Sequence, residues 1–133
     1  KGANDTIILD DAYNANPDSV KSALKVLKSL EAPRKIVITP GIVELGVKQY
    51  TENEKMGQEI AESADYLLIV GATNRIALKK GFLSLNPKHY DTAQYHSRVL
   101  ECRDLNEATE KLKDIVIPKS VILFENDLPD QYL

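Results

Sequence analysis

Four short runs of almost unbroken apolar, largely β-branched residues constrain this chain most. They are Thr6-Ile7-Ile8-Leu9-Asp10, Lys35-Ile36-Val37-Ile38-Thr39, Tyr66-Leu67-Leu68-Ile69-Val70 and Ser120-Val121-Ile122-Leu123-Phe124. A strand that is apolar at consecutive rather than alternate positions needs cover on both faces, the condition of a parallel sheet. Arg98-Val99-Leu100-Glu101-Cys102 is a weaker fifth candidate, and Lys88-His89-Tyr90 a short extended piece. Between the runs the period becomes helical. Val20, Ala23, Leu24, Leu27 and Leu30 recur at three- and four-residue spacing over Pro17 to Leu30. Asn16 suits an N-cap there, and Pro17 stands at the first helical position. Met56, Ile60, Ala61 and Ala64 mark a helix from Lys48 to Ala64, Ile76, Ala77 and Phe82 one from Thr73 to Leu83, and Leu105, Ala108, Leu112 and Ile115 the last. This alternation predicts an α/β fold, an open, mostly parallel sheet with helices on both faces.

The 133 residues, 43% of them hydrophobic, suffice for one core, and no repeat or linker divides residues 1–133. Seventeen basic against twenty acidic residues leave no electrostatic footprint for nucleic acid. No apolar run approaches the roughly 20 residues of a membrane span, and the opening residues do not show a signal-peptide pattern. The lone Cys102 excludes a disulfide framework and a cysteine zinc cluster and suits a reducing cytoplasm. It reads as a small buried hydrophobe. His89 and His96 lie seven apart with no third ligand, so they read as surface histidines and no metal site is expected. Tyr50, Tyr90, Tyr95 and Tyr132 show no stacking platform, and the acids of Glu52-Asn53-Glu54 and of Glu107 to Glu110 read as solvated helix faces. Lys1 is not an initiator Met and a strand follows almost at once, the expectation for a piece of a longer protein.

In an open α/β sheet, ligands bind outside the carboxyl ends of the strands. Four polar segments fall there: Asp10 to Ser19, Thr39 to Gly46, Gly71 to Arg75, and Glu125 to Asp130. Asn16 alone could simply cap a helix, yet Asp10, Asp11, Tyr13, Asn14 and Asn16 crowd one loop. A carboxylate there can hold ribose hydroxyls, an aromatic ring or flat amide can line a base, and helix N-terminal amides attract anions. Thr73, Asn74 and Arg75 open a helix and could serve an anion or only a cap. Gly41 and Gly46 read as turn glycines, with Glu44 exposed between them. A complete G-x-G-x-x-G fingerprint and a phosphate loop are both missing, so the chain lacks the usual cradle for a triphosphate.

Asp10-Asp11-Ala12-Tyr13-Asn14-Ala15-Asn16-Pro17-Asp18-Ser19 closely resembles the signature opening the C-terminal domain of bacterial Mur ligases, and is most similar to the branch adding D-alanyl-D-alanine. Glu44-Leu45-Gly46, the long helix after it and the strand ending at Val70-Gly71 follow the same family's order. The resemblance implies a Rossmann-like C-terminal domain of a cytoplasmic, three-domain, ATP-dependent amide ligase of peptidoglycan synthesis. In such a ligase ATP activates the carboxylate of a UDP-linked muramoyl tripeptide, and a dipeptide amine attacks the acyl phosphate. ATP and Mg2+ would be bound mainly by the central domain, which this chain lacks together with the N-terminal UDP-binding domain. Those domains would be its partners. The resemblance places no catalytic residue here and implies that the isolated domain is inactive. Carried over by position, Asp11 contacts the ribose, and Tyr13, Asn14, Asn16 and Pro17 line the base; Thr73, Asn74, Arg75 and Glu44 are the residues expected at the amine substrate, in place of cations that the family has after its last strand. Two stretches depart from the family pattern. Pro40-Gly41-Ile42 stands for Gly-Asp-Met, and Phe124-Glu125-Asn126-Asp127 for Lys-Gly-Ser-Arg, exchanging two cations for two acids. A ligase-like protein acting on another cell-wall precursor, a non-catalytic α/β binding module, and a receiver-like domain with Asp10-Asp11 as its acidic pocket are the other readings. The last of these wants a lysine after the final strand, where Phe124-Glu125-Asn126 offers none.

Overall fold

The computed structural model describes residues 5–11, 16–85 and 92–125. In chain order its elements are β1 (Ile7–Asp11), α1 (Pro17–Ser29), β2 (Lys35–Thr39), α2 (Gln49–Ser63), β3 (Tyr66–Val70), α3 (Arg75–Leu83), α4 (Thr92–His96), β4 (Val99–Cys102), α5 (Leu105–Ile115) and β5 (Val121–Glu125), with a 3-10 turn, Gly46–Lys48, leading into α2. The five strands form one parallel sheet in the order β1-β5-β2-β3-β4. This is the Rossmann-like α/β architecture expected, and the weak fifth run is its β4 edge. The Lys88-His89-Tyr90 piece lies outside the described residues.

Strand periodicity divides the core in two. Val37, Leu67, Ile69, Val121 and Leu123 point to the face covered by α1, α2 and α3, where Val20, Leu24, Leu27, Met56, Ile60, Leu78 and Phe82 meet them. Ile36, Ile38, Leu68, Val70, Cys102 and Ile122 point to the opposite face, against α5 with Ala108, Leu105 and Leu112. Double cover is why β2 and β3 could be apolar at successive positions. Cys102 is buried and free, and burial pushes its thiol pKa up, as a small hydrophobe requires. The α2–α3 pair touches backbone to backbone. A Cβ on Gly57 would collide with the Leu78 carbonyl oxygen, and one on Gly81 with that of Glu54.

Helix α4 has no counterpart in the apolar pattern, because five residues are too few to show a period. Its anchor is Tyr95, buried and stacked on Phe82 at a centroid distance of 5.3 Å, with its hydroxyl donating to Phe82 O at 2.8 Å. His96 is exposed on the same helix.

Candidate functional site

All five strands run the same way, so the segments after β1, β2, β3 and β5 emerge at one edge. At that edge β1 separates its two aspartates. Asp10 shares a face with Ile8, whereas Asp11 lies on the face of Leu9 and is in register with Glu125 of β5. Glu125 is fully buried, and Asp11 is partly so. Thr39, also buried, ends β2 on the same face. A row of polar side chains, Asp11, Glu125 and Thr39, therefore crosses the carboxyl edge on the side of α1 and α2.

The next described element after β1 is α1. Asn16 is extended, and its Oδ1 accepts from Ser19 N at 2.9 Å while Ser19 Oγ donates to Asn16 O at 3.1 Å. Pro17 follows at the first helical position, where no N–H is needed. Asn16 is thus a true N-cap through its oxygen, and its Nδ2 group takes no part in that bond. A small cleft of about 110 Å³ opens beside Pro17, between α1, α2 and Ile42. Tyr13 and Asn14 lie outside the described residues, as do Asn126 and Asp127.

The segment after β2 is held by three side-chain amides that the sequence reading did not single out as a set. Asn53, fully buried, accepts from Ile42 N through Oδ1 at 2.8 Å and donates from Nδ2 to Ile42 O at 2.8 Å and Gln49 O at 2.8 Å. Gln49 Nε2 donates to Ile42 O at 2.6 Å and to Asn74 Oδ1 at 2.7 Å, and Gln49 Oε1 accepts from Leu45 N at 3.1 Å. Asn74 Nδ2 donates to Pro40 O at 3.0 Å and Ile42 O at 3.3 Å. Thr39 Oγ1 accepts from Gly41 N at 3.0 Å. Gly41 has φ +85°, and a Cβ on it would lie 2.5 Å from Asn53 Oδ1 and 2.8 Å from Asn74 Nδ2, so glycine is needed twice over. The acids of Glu52-Asn53-Glu54 read as a solvated face, and the Asn53 between them turns inward. The available signal was its place in line with Met56, Gly57 and Ile60.

Of the residues expected at the amine substrate, the structure commits two to neighbours. Asn74 is buried, with its oxygen and nitrogen both used in the amide cluster. Arg75 Nε lies 3.6 Å from Glu101 Oε1, sharing that β4 carboxylate with Lys79 at 2.7 Å. The Lys79 hydrogen bond, ahead of the charges of Lys79, Arg75 and Lys111, holds the Glu101 carboxyl below the usual carboxylate range. Thr73 and Glu44 are exposed. Among the described residues no group of three or more His, Cys, Asp or Glu could hold a metal ion, and no helix is long and apolar enough to cross a membrane.

The Mur ligase, glutamate ligase domain family matches residues 1–125. The chain belongs to the Mur ligase family. No curated protein matches it. Solved structures similar to this Mur ligase domain include MurF ligase from Thermotoga maritima in complex with ADP, at 18% identity and a TM-score of 0.69 over 96% of this chain and 26% of that one. MurF from Acinetobacter baumannii matches at 23% identity and a TM-score of 0.70, again over 96% and 26%. A domain assigned to a UDP-N-acetylmuramate:L-alanyl-gamma-D-glutamyl-diaminopimelate ligase of Haemophilus ducreyi matches at 16% identity and a TM-score of 0.55, over 96% of this chain and 85% of that one. At these identities the likeness is one of fold. The chain spans about a quarter of the length of the MurF structures. In the departing stretches, Pro40-Gly41-Ile42 is the backbone gripped by the amide cluster, and Glu125 is the buried partner of Asp11 in register.

Proposed function

We propose that this chain is the C-terminal domain of a cytoplasmic, ATP-dependent amide ligase adding D-alanyl-D-alanine to a UDP-muramoyl tripeptide in peptidoglycan synthesis. Family membership supports the ligase class. The observation that carries the site is the carboxyl edge itself, where Asp11 lies in register with the buried Glu125, with the capped α1 following β1 in the chain. Asp11 is the group for the ribose hydroxyls, because a partly buried carboxylate accepts two such donors in a charge-assisted way. Tyr13, Asn14, Asn16 and Pro17 line the base, the Asn16 Nδ2 donor being left over from the cap. Thr73 and Glu44 meet the amine, while Asn74 and Arg75 hold the segments that present them. When bound, ATP supplies the phosphoryl group that activates the muramoyl-peptide carboxylate. This lobe's own work is to close over nucleotide and amine and exclude water.

A single variant tests the nucleotide half. In the whole ligase, Asp11→Ala should raise the KM for ATP about tenfold or more, the worth of a hydrogen bond to a charged group, with the KM for the amine little changed. An unaltered ATP dependence sinks the assignment.

One observation favours a second reading, a family member acting on another cell-wall precursor. Glu125 puts a buried acid in the stretch where the family pattern has Lys-Gly-Ser-Arg, which alters the charge of that strand end. Turnover with a different amine and none with D-alanyl-D-alanine would establish it.

A further inference from the structure

Glu44 has φ +64°, a backbone conformation that residues with a Cβ rarely adopt. Glycine would make the same turn more cheaply; what glutamate adds is an exposed carboxylate. The backbone is pinned on both sides of it. Ile42 is gripped at its N–H by Asn53 and at its carbonyl by Asn53, Gln49 and Asn74, and the Leu45 N–H is held by Gln49. Two of the three amides stand on α2 and the third precedes α3, the helix pair locked by Gly57 and Gly81. The loop conformation is therefore set by the most tightly packed part of the molecule. Among the described residues no cation pairs with the Glu44 carboxylate.

We infer that Gln49, Asn53 and Asn74 are positioning residues that hold Glu44 ready to receive the ammonium group of the amine substrate, an inference resting on the ligase reading above. Charge selects the substrate. ATP and a UDP-linked muramoyl peptide are net anions that an exposed carboxylate repels, whereas the dipeptide is a zwitterion without net charge whose ammonium end is a cation that the carboxylate attracts. A loop fixed beforehand loses no further freedom when that cation docks.

The experiment is steady-state kinetics of the whole ligase, with ATP and UDP-muramoyl tripeptide fixed, D-alanyl-D-alanine varied, and phosphate release as the readout. Glu44→Gln changes an exposed side chain and should raise the KM for the amine about tenfold, leaving that for ATP in place. Asn53→Ala should move the same constant in the same direction and speed hydrogen exchange at the Ile42 amide. Where Asn53→Ala fails to fold, Gln49→Ala serves, and Gln49→Glu, which keeps the acceptor for Leu45 N, should recover part of the loss. An unchanged amine KM in Glu44→Gln overturns the inference and leaves the ligase reading intact. Equal shifts in the ATP and amine constants for Asn53→Ala overturn it too, since a general loss of structure would do the same. A wild-type protein that releases no phosphate with D-alanyl-D-alanine or any other amine overturns the ligase reading, and this inference with it.

Discussion

The two sides of the sheet are packed to different standards. On the side of β2, β3, α2 and α3, the middle strands are buried almost throughout, two glycines bring helix backbones into contact, and three amides fix the loop after β2. On the side of β1 and α1, Ile7 and Ile8 are 47% and 43% exposed, and α1 meets α2 across an open groove of about 350 Å³ lined by Lys21, Lys25, Lys28, Glu59 and Glu62. The family signature lies on the looser side. Segments with few buried apolar contacts open at low free energy, and elements that must move on closure are drawn from them. The tight side instead holds fixed groups, Glu44 among them.

The largest effect expected belongs to the tight side. Gly81→Ala should cost about 3 kcal/mol or more, because the added methyl meets the Glu54 backbone rather than a side chain that can swing away. Val26→Ala, on the exposed face of α1, should stay within about 0.5 kcal/mol. Urea midpoints of the two variants measure the contrast directly. Similar shifts would mean that the difference in packing is not a difference in stability.

An intermediate effect sharpens the boundary. Asn16→Ala removes the oxygen that caps Ser19 N and should cost about 1 kcal/mol. Hydrogen exchange should accelerate in the first turn of α1 and leave α2 unchanged. Acceleration spreading into α2 would show that the two sides open as one unit.

Much of this was legible in the sequence. Continuous apolar runs announced β2, β3 and β5, and Asn16-Pro17 announced the start of α1, because burial on two faces and capping both leave local marks. The expectation of turn glycines at Gly41 and Gly46 agrees with their φ of +85° and +58°. What was hidden depends on contacts distant in sequence. Asn53 is eleven residues from Ile42, and Asn74 thirty-four from Pro40, so nothing local says that their amides converge on one loop. Thr73-Asn74-Arg75 read as a ligand-facing set for the same reason. Only the fold shows Asn74 turned to Pro40 and Arg75 to Glu101.

The smallest effect sets the far edge against the groove, through two carboxylates displaced in opposite directions. Glu101 on β4 is held below the usual range, chiefly by its hydrogen bond from Lys79. Its contribution is fully present above the ordinary carboxylate pKa and is lost as pH falls through the lowered value. Glu59 on α2 is raised, chiefly by desolvation, and Lys21 at 3.8 Å only partly offsets this. Its contribution is present below the ordinary value and is lost as pH rises through the raised one. Acidification from neutrality should therefore weaken the β4 edge while easing the α1–α2 groove. Denaturation midpoints between about pH 3 and pH 7 separate the two. Glu101→Gln should flatten the acid-side loss of stability, and Glu59→Gln the gain. The changes should be small, since both groups are partly exposed and screened by water. If Glu101→Gln left the acid limb as steep as before, the ion cluster at β4 would be geometry without energetic weight.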